Sequence, residues 1–192
     1  MSSASFKEFV ELYKPMNYSS HTDDVYCVHY DKDDNGEFYI RNRYTKCLDG
    51  GKHGKSYTRI KPPAGLLYIV DFELIETYDN GILHGLSIKE DFHNKITIIS
   101  NYNKSILDGL YSEKYGGLFD GTQKLICNYK NGLLHGRHVE YYENGKVKRI
   151  QKFRNGKKTG KYKVFYHNGK LQCEYNIIDG KIIGDKKLYY KN

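Results

Sequence analysis

The chain has 192 residues, a net charge of +8 and 39% apolar residues, with 20 Tyr, 8 Phe, 2 Met and no Trp. So many rings exclude a disordered polar chain, and the short supply of aliphatics excludes an ordinary α/β core. Tyrosine, ring on one side and hydroxyl on the other, must do much of the burying, which predicts a thin, extended β structure instead of one deep core.

The N-terminal segment reads as a cap. Ser5-Phe6-Lys7-Glu8 resembles a capping box, Phe6, Phe9, Val10 and Tyr13 form one helical stripe, and Pro15 ends it. Residues 1–20 are therefore predicted to hold a short capping helix, and residues 21–192 a single β array. No apolar segment follows Met1 as in a signal peptide. The longest apolar run, Leu66–Val70, is far short of the ~20 residues that span a bilayer. A cytoplasmic protein without a transmembrane segment is expected. Val25–Tyr30 and Glu37–Tyr44 look like an opening hairpin joined through Asp33-Asp34-Asn35-Gly36. Those acids have some character of a calcium loop, but Arg41 stands where its closing Glu would be, so a turn is expected.

From there a repeat sets the architecture. Pairs of small residues four apart recur at Gly50/Gly54, Gly81/Gly85, Ser105/Gly109, Gly132/Gly136, Gly156/Gly160 and Gly180/Gly184. Successive pairs are 31, 24, 27, 24 and 24 residues apart. The clear units are 132–155, 156–179 and 180–192, and the degenerate ones fill 50–131. Insertions near Pro62-Pro63-Ala64-Gly65 and Gly116–Gly121 read as loop extensions. Each unit has room for two strands and two turns and none for a helix. Gly145 and Gly169 mark the second turn, where Asn144-Gly145 and Asn168-Gly169 suit a type I′ hairpin with both residues at positive φ. In His93-Asn94-Lys95, Asn94 is the residue suited to the left-handed conformation. The second strand alternates: Phe153, Gln151, Arg149 and Val147 share one largely apolar side, and Lys152, Ile150 and Lys148 the polar one. The first strand shows no constant apolar side. The sum is an elongated single-layer antiparallel meander of about 12 strands, extending roughly 55–60 Å at one strand spacing each. Its last strand, Lys186–Tyr190, presents an edge through which a second copy could pair.

The segments Tyr129-Lys130-Asn131-Gly132-Leu133-Leu134-His135-Gly136 and Tyr141-Tyr142-Glu143-Asn144-Gly145-Lys146 resemble a MORN repeat, most closely the variant in antitoxin-like proteins related to the YwqK family. Phe153–Gly160, Ile177–Gly184 and Tyr78–Gly85 carry the same frame. The resemblance implies twisted single-layer sheets that act as interaction or scaffold modules, in some members near membranes or the cytoskeleton. The Lys-, Asn-, Tyr- and Ile-rich composition suits an AT-rich genome, such as that of a large DNA virus.

Little points to catalysis. No phosphate loop, dinucleotide glycine box, HExxH or GxSxG occurs, so no enzyme activity and no cofactor is expected. Cys27, Cys47, Cys127 and Cys173 form no CxxC pair and read as free thiols. His53, His84 and His135 each precede a landmark glycine. Equivalent side chains of adjacent units lie ~10 Å apart, too far to share an ion at ~2 Å. A bond to a turn carbonyl or packing on a tyrosine ring is expected of them, and no metal.

Charge is the remaining signal. Residues 145–192 hold 14 Lys/Arg and 3 Asp/Glu, a net of +11, whereas residues 1–144 carry a net of −3. Lys146, Lys148, Arg149, Lys152, Arg154, Lys157, Lys158, Lys161 and Lys163 are the candidate binding residues. Gly81, Gly85, Gly109, Gly132, Gly136, Gly145, Gly156, Gly160, Gly169, Gly180 and Gly184 are assigned to structural turns. A non-catalytic scaffold binding a protein partner with an acidic surface is the expected function. Nucleic acid or another polyanion is an alternative, because Tyr141, Tyr142, Phe165, Tyr166, Tyr189 and Tyr190 stand among these cations. Peripheral membrane association is a further one.

Overall fold

The computed structural model describes residues 25–32, 38–46, 52–60, 72–118 and 120–190. The expected capping helix, the turn at Asp33–Gly36, Gly50 and the insertion at Pro62–Gly65 lie outside them. The strands are β1 (Val25–Lys32), β2 (Phe38–Lys46), β3 (Lys52–Ile60), β4 (Phe72–Asp79), β5 (Ile82–Asp91), β6 (Ile96–Asn103) and β7 (Ile106–Tyr115). They continue as β8 (Thr122–Lys130), β9 (Leu133–Leu134), β10 (Gly136–Tyr141), β11 (Val147–Arg154), β12 (Lys157–Phe165), β13 (Leu171–Ile178) and β14 (Lys181–Leu188). All belong to one antiparallel sheet in which each strand lies beside its neighbours in sequence. The exception is the two-residue β9, which pairs with β8 before the chain breaks at His135 and resumes as β10. That break is one reason for 14 strands instead of about 12.

The two turns of each unit differ, and the type I′ geometry sits at the other one from that expected. Asn80-Gly81, Asn131-Gly132, Asn155-Gly156 and Asp179-Gly180 have positive φ at both positions. Lys104-Ser105 does too, without any glycine. At Asn144-Gly145 and Asn168-Gly169 only the glycine is left-handed. There Gly145 N–H donates to Tyr142 O at 2.9 Å and Tyr142 N–H to Lys146 O at 2.8 Å, closing a longer loop. Asn144 instead accepts from Lys146 N–H through its side chain at 3.1 Å, as Asn168 does from Lys170 at 3.0 Å. An Asx acceptor, not a left-handed backbone, is what these asparagines supply. In the degenerate copy Lys95 itself is left-handed at φ 51°, while Asn94 N–H donates to Asp91 Oδ1 at 2.8 Å.

The type I′ turns do more than reverse the chain. The amide of the second turn residue points out of its own hairpin, and here it donates to the preceding unit. Gly81 bonds Lys52 O, Ser105 bonds Leu83 O, Gly132 bonds Leu107 O, Gly156 bonds Leu134 O and Gly180 bonds Lys158 O, at 2.7 to 2.9 Å. Each acceptor stands two residues before the landmark glycine of its unit. The other edge of the last units is stitched as well: Tyr142 and Tyr166 hydroxyls donate to Phe165 O and Tyr189 O at 2.8 and 2.9 Å.

The second glycine of each pair occupies a bulge. Opposite Gly85 the β4–β5 register slips from Glu76↔Ser87 to Tyr78↔Leu83, so three residues face Thr77. The Thr77 hydroxyl donates to Leu86 O at 3.1 Å, and Asn101 makes the same bond to Leu110 O. On the far side of each bulge a ring or branched side chain stands directly across from the glycine: Tyr78↔Gly54, Tyr102↔Gly85, Tyr129↔Gly109, Phe153↔Gly136 and Ile177↔Gly160. A slip of two keeps every side chain on its face.

Both faces bury apolar groups, which corrects the expectation of one apolar and one polar side. The face carrying the rings over glycine, here the back, buries Cys127, Cys173 and Ile177 together with Gln151, Ser87 and Ser100. Tyr162 and Tyr175 stack there at 4.7 Å. The front carries a transverse row of Ile75, Ile88, Ile99, Ser112, Ile126, Val139 and Ile150, each paired with the next. The Gly116–Gly121 insertion, expected as a mere extension, folds back on this row. Leu118 packs with Ile75 and Ile88, bordered by Tyr57, Leu86 and Ile99. Its N–H donates to Glu90 Oε1 at 3.3 Å, and its carbonyl accepts from Lys114 Nζ at 2.7 Å. The front row then turns polar through Lys163, Glu174 and Lys187. This change explains the inconstant first strand: Leu86 and Ile88 face front in β5, whereas Lys161 and Lys163 do so in β12 and send Tyr162 and Val164 to the back.

Left-handed backbone costs a side-chain-bearing residue about 1–2 kcal/mol. Gly156→Ala, whose added methyl meets only ordinary contacts, is expected to lower stability by about that amount. Ser105→Gly relieves this strain and should raise stability by up to about 1 kcal/mol, less than the full relief because the unfolded chain also gains freedom. Urea unfolding of the two variants checks the opposite signs.

Candidate functional site

Cross-strand partners share a face, so register sorts the nine candidate cations. Lys152, Lys163, Arg154 and Lys157 are on the front through the pairs Lys152↔Thr159, Ile150↔Lys163 and Arg154↔Lys157. Lys161 joins them opposite Asn176, and Lys148 by alternation with Ile150. The structure adds Arg137, Lys181 and Lys187 to the same face, across from Lys152, Ile178 and Glu174. All of these are exposed except Lys163, which is half-buried. Arg137 was missed because it precedes the stretch whose composition shifts. Only strand pairing could bring it beside Lys152.

The other three candidates go elsewhere. Arg149 is on the back, where it pairs with the carboxylate of Glu140 across β10 and β11. That hydrogen bond holds its guanidinium even more firmly protonated than usual. Lys158 faces Phe153 on the back. Lys146 is at the loop edge, donating to Asn168 O at 2.9 Å and so helping to join consecutive loops.

Electrostatically the front of β10–β14 is lopsided. Arg137↔Lys152 and Arg154↔Lys157 place like charges directly opposite each other, an arrangement that destabilises a sheet. Glu174 is the main counterweight, 3.9 Å from Lys161 Nζ and 3.7 Å from Lys163 Nζ. Such half-exposed pairs contribute only about 0–1 kcal/mol.

The candidate stacking rings divide: the Tyr189 hydroxyl reaches the front, donating to Glu174 Oε1 at 3.3 Å, Tyr190 is almost fully exposed, and others are tied into the loop edge. Tyr142 Oη is bound to Phe165 O and its ring rests on His167 at 4.9 Å. Tyr166 Oη is bound to Tyr189 O. Tyr141 alternates with the front residues Arg137 and Val139, and Phe165 with Lys161 and Lys163, each at a one-residue register slip opposite Val147 or Leu171. Lys148 Nζ lies 5.8 Å from the Tyr142 ring, a single cation–π contact at the border.

The histidines take structural places, though with side-chain oxygens where a turn carbonyl or a ring was expected. His135 Nδ1 is 3.3 Å from Asn155 Oδ1 and His53 Nδ1 is 3.8 Å from Asp79 Oδ1, each reaching the turn of the next hairpin. His84 is exposed. His138 lies against Phe153, and burial lowers its pKa so that it stays neutral near pH 7. Burial likewise pushes the Cys127 thiol up to about 11, which makes it a packing group and not a nucleophile. Among the described residues, no group of three or more His, Cys, Asp or Glu is placed to hold a metal ion. No helix among them is long and apolar enough to cross a membrane.

Two adjacent segments, residues 134–155 and 158–179, match the MORN repeat variant. They cover β10 to β13, the strands that carry most of the basic front. MORN repeats are non-catalytic modules of protein and membrane interaction. No curated protein matches the chain.

Removing one member of an opposed like-charge pair should relieve the sheet. Lys152→Thr is expected to leave stability unchanged or raise it by about 0.2–1 kcal/mol, with the gain shrinking as salt increases. Arg149→Ala, on the back, is expected to lower stability because it strands Glu140. Thermal unfolding at low and high salt checks both.

Proposed function

We propose that the chain is a non-catalytic repeat scaffold that docks an acidic protein surface on the front of β10–β14. The observation that carries this reading is the alignment of Arg137 with Lys152 and of Arg154 with Lys157 on one face. Solubility requires no such juxtaposition, because lysines at staggered positions would serve without the repulsive cost. An anionic partner converts that cost into attraction and speeds encounter. A protein surface fits better than single-stranded nucleic acid. Single-strand binding couples backbone cations to freely stacking rings, and here the Tyr142 and Tyr166 hydroxyls are held by loop-edge carbonyls and the Tyr189 hydroxyl by Glu174.

Fluorescence titration with a glutamate-rich peptide, an oligothymidylate and anionic vesicles separates the readings. The peptide is expected to bind best, and to weaken at least tenfold between about 50 and about 300 mM salt as screening shortens the reach of the charges. Replacing Lys148, Lys152, Lys157 and Lys161 with Ser should abolish binding and leave the circular dichroism unchanged. Tighter binding to the oligonucleotide or the vesicles, or full binding by the quadruple variant, would overturn the proposal.

A further inference from the structure

Two rows of repeat-equivalent residues cross the front face, and both change character at the same place. The outer row holds the residue that follows each type I′ turn. It reads Ile82, Ile106, Leu133 and then Lys157, Lys181, each on the front through its closing partner Asp79, Asn103, Lys130, Arg154 or Ile178. In the inner row the residues after the bulge glycines Gly85, Gly109, Gly136 and Gly160 are Leu86 and Leu110, then Arg137 and Lys161, with Lys55 before them and Asp185 after. Apart from Leu86, which borders Leu118, the aliphatic members are unusually open for their type. Ile82 is 47% exposed, Ile106 51%, Leu110 41% and Leu133 49%. They are also fixed in place, since Ile106 and Leu133 border Gly132 and Gly156 of the next turns. Turn chemistry does not ask for an aliphatic here, because Lys157 and Lys181 occupy the same position after equally regular turns.

Resting on the proposed acidic partner, we infer that the occupant of this face is an α-helix lying across the strands, with apolar residues toward β5–β9 and acidic residues toward β10–β14. Charge complementarity sets the polarity: the aliphatic half needs an apolar stripe, and the cationic half needs carboxylates. Spacing selects the helix. Successive members of a row are two strands apart, about 9.4–9.8 Å. Seven residues of α-helix rise about 10.5 Å and return to nearly the same face. One heptad thus meets one hairpin unit, with its two apolar or acidic positions addressing the outer and inner rows. An extended strand is out of phase, because same-side residues recur at about 6.7 Å and about 13 Å but not near 10 Å.

A designed peptide of four heptads tests this, with Leu at both core positions of the first two heptads and Glu at those of the last two. The probe's partner is the full chain. The matched peptide is expected to bind at least tenfold more tightly than a glutamate-rich peptide of equal charge. Reversing which end is apolar changes the pairing only by flipping the helix, so the informative controls are two. A scrambled peptide with the same composition and no heptad pattern should lose that tenfold gain, as should a copy broken by proline in mid-helix. Ile106→Ser with Leu133→Ser should reduce the matched peptide to the level of the glutamate-rich one, and Lys157→Ser with Lys161→Ser should weaken both. If the scrambled or proline-broken peptide binds as well as the matched one, or the aliphatic variants change nothing, the helix inference fails while acidic docking stands. If neither the matched nor the glutamate-rich peptide binds, acidic docking itself fails.

Discussion

One hydrogen bond, repeated from unit to unit, underlies the architecture: the amide of the second type I′ turn residue donates to a carbonyl of the preceding hairpin. A two-residue turn leaves that amide without a partner inside its own hairpin. Sending it backward ties each hairpin to the one before and fixes their offset. The offset then places a ring or branched side chain across from the bulge glycine, and lets Ile106 and Leu133 border the turns that follow. A meander has no second layer to hold its strands in register, so local devices of this kind substitute for a deep core. Their effect accumulates as in other repeat arrays, where stability is the sum of units and nearest-neighbour interfaces.

Much of this was legible in the sequence because glycine spacing is a backbone requirement written directly in residue type. The beat of 24 located the hairpins, and the pairs four apart located turn and bulge. What spacing did not show is which glycine does what. Asn144-Gly145 and Asn155-Gly156 look alike as dipeptides, but the first caps its loop with a side chain and the second turns with both residues left-handed. Lys104-Ser105 keeps the same turn with neither Asn nor Gly, so the neighbouring units impose its conformation. Leu118 was lost in a glycine-rich insertion, since no periodicity announces a loop that folds back onto a sheet.

The candidate site divides in the same manner. A one-dimensional charge count found the basic end of the chain. It could not separate Lys152 from Arg149 or Lys157 from Lys158, which alternate between faces, nor add Arg137 from the neighbouring strand. Register does all three. It also shows why the first strand of each unit had no constant apolar side: the front of the sheet changes from aliphatic to cationic along the array, and the strand residues change with it. A uniform repeat backbone therefore carries a non-uniform surface, which is the property a scaffold needs to select one partner in one orientation.

Amide hydrogen exchange followed by NMR tests the turn-to-unit bond most directly. The amides of Gly132, Gly156 and Gly180 are predicted to exchange slowly, as strand amides do, although each is the second residue of a two-residue turn. Protection at all three glycines is the result that the account requires, and fast exchange at them in the folded protein would contradict it.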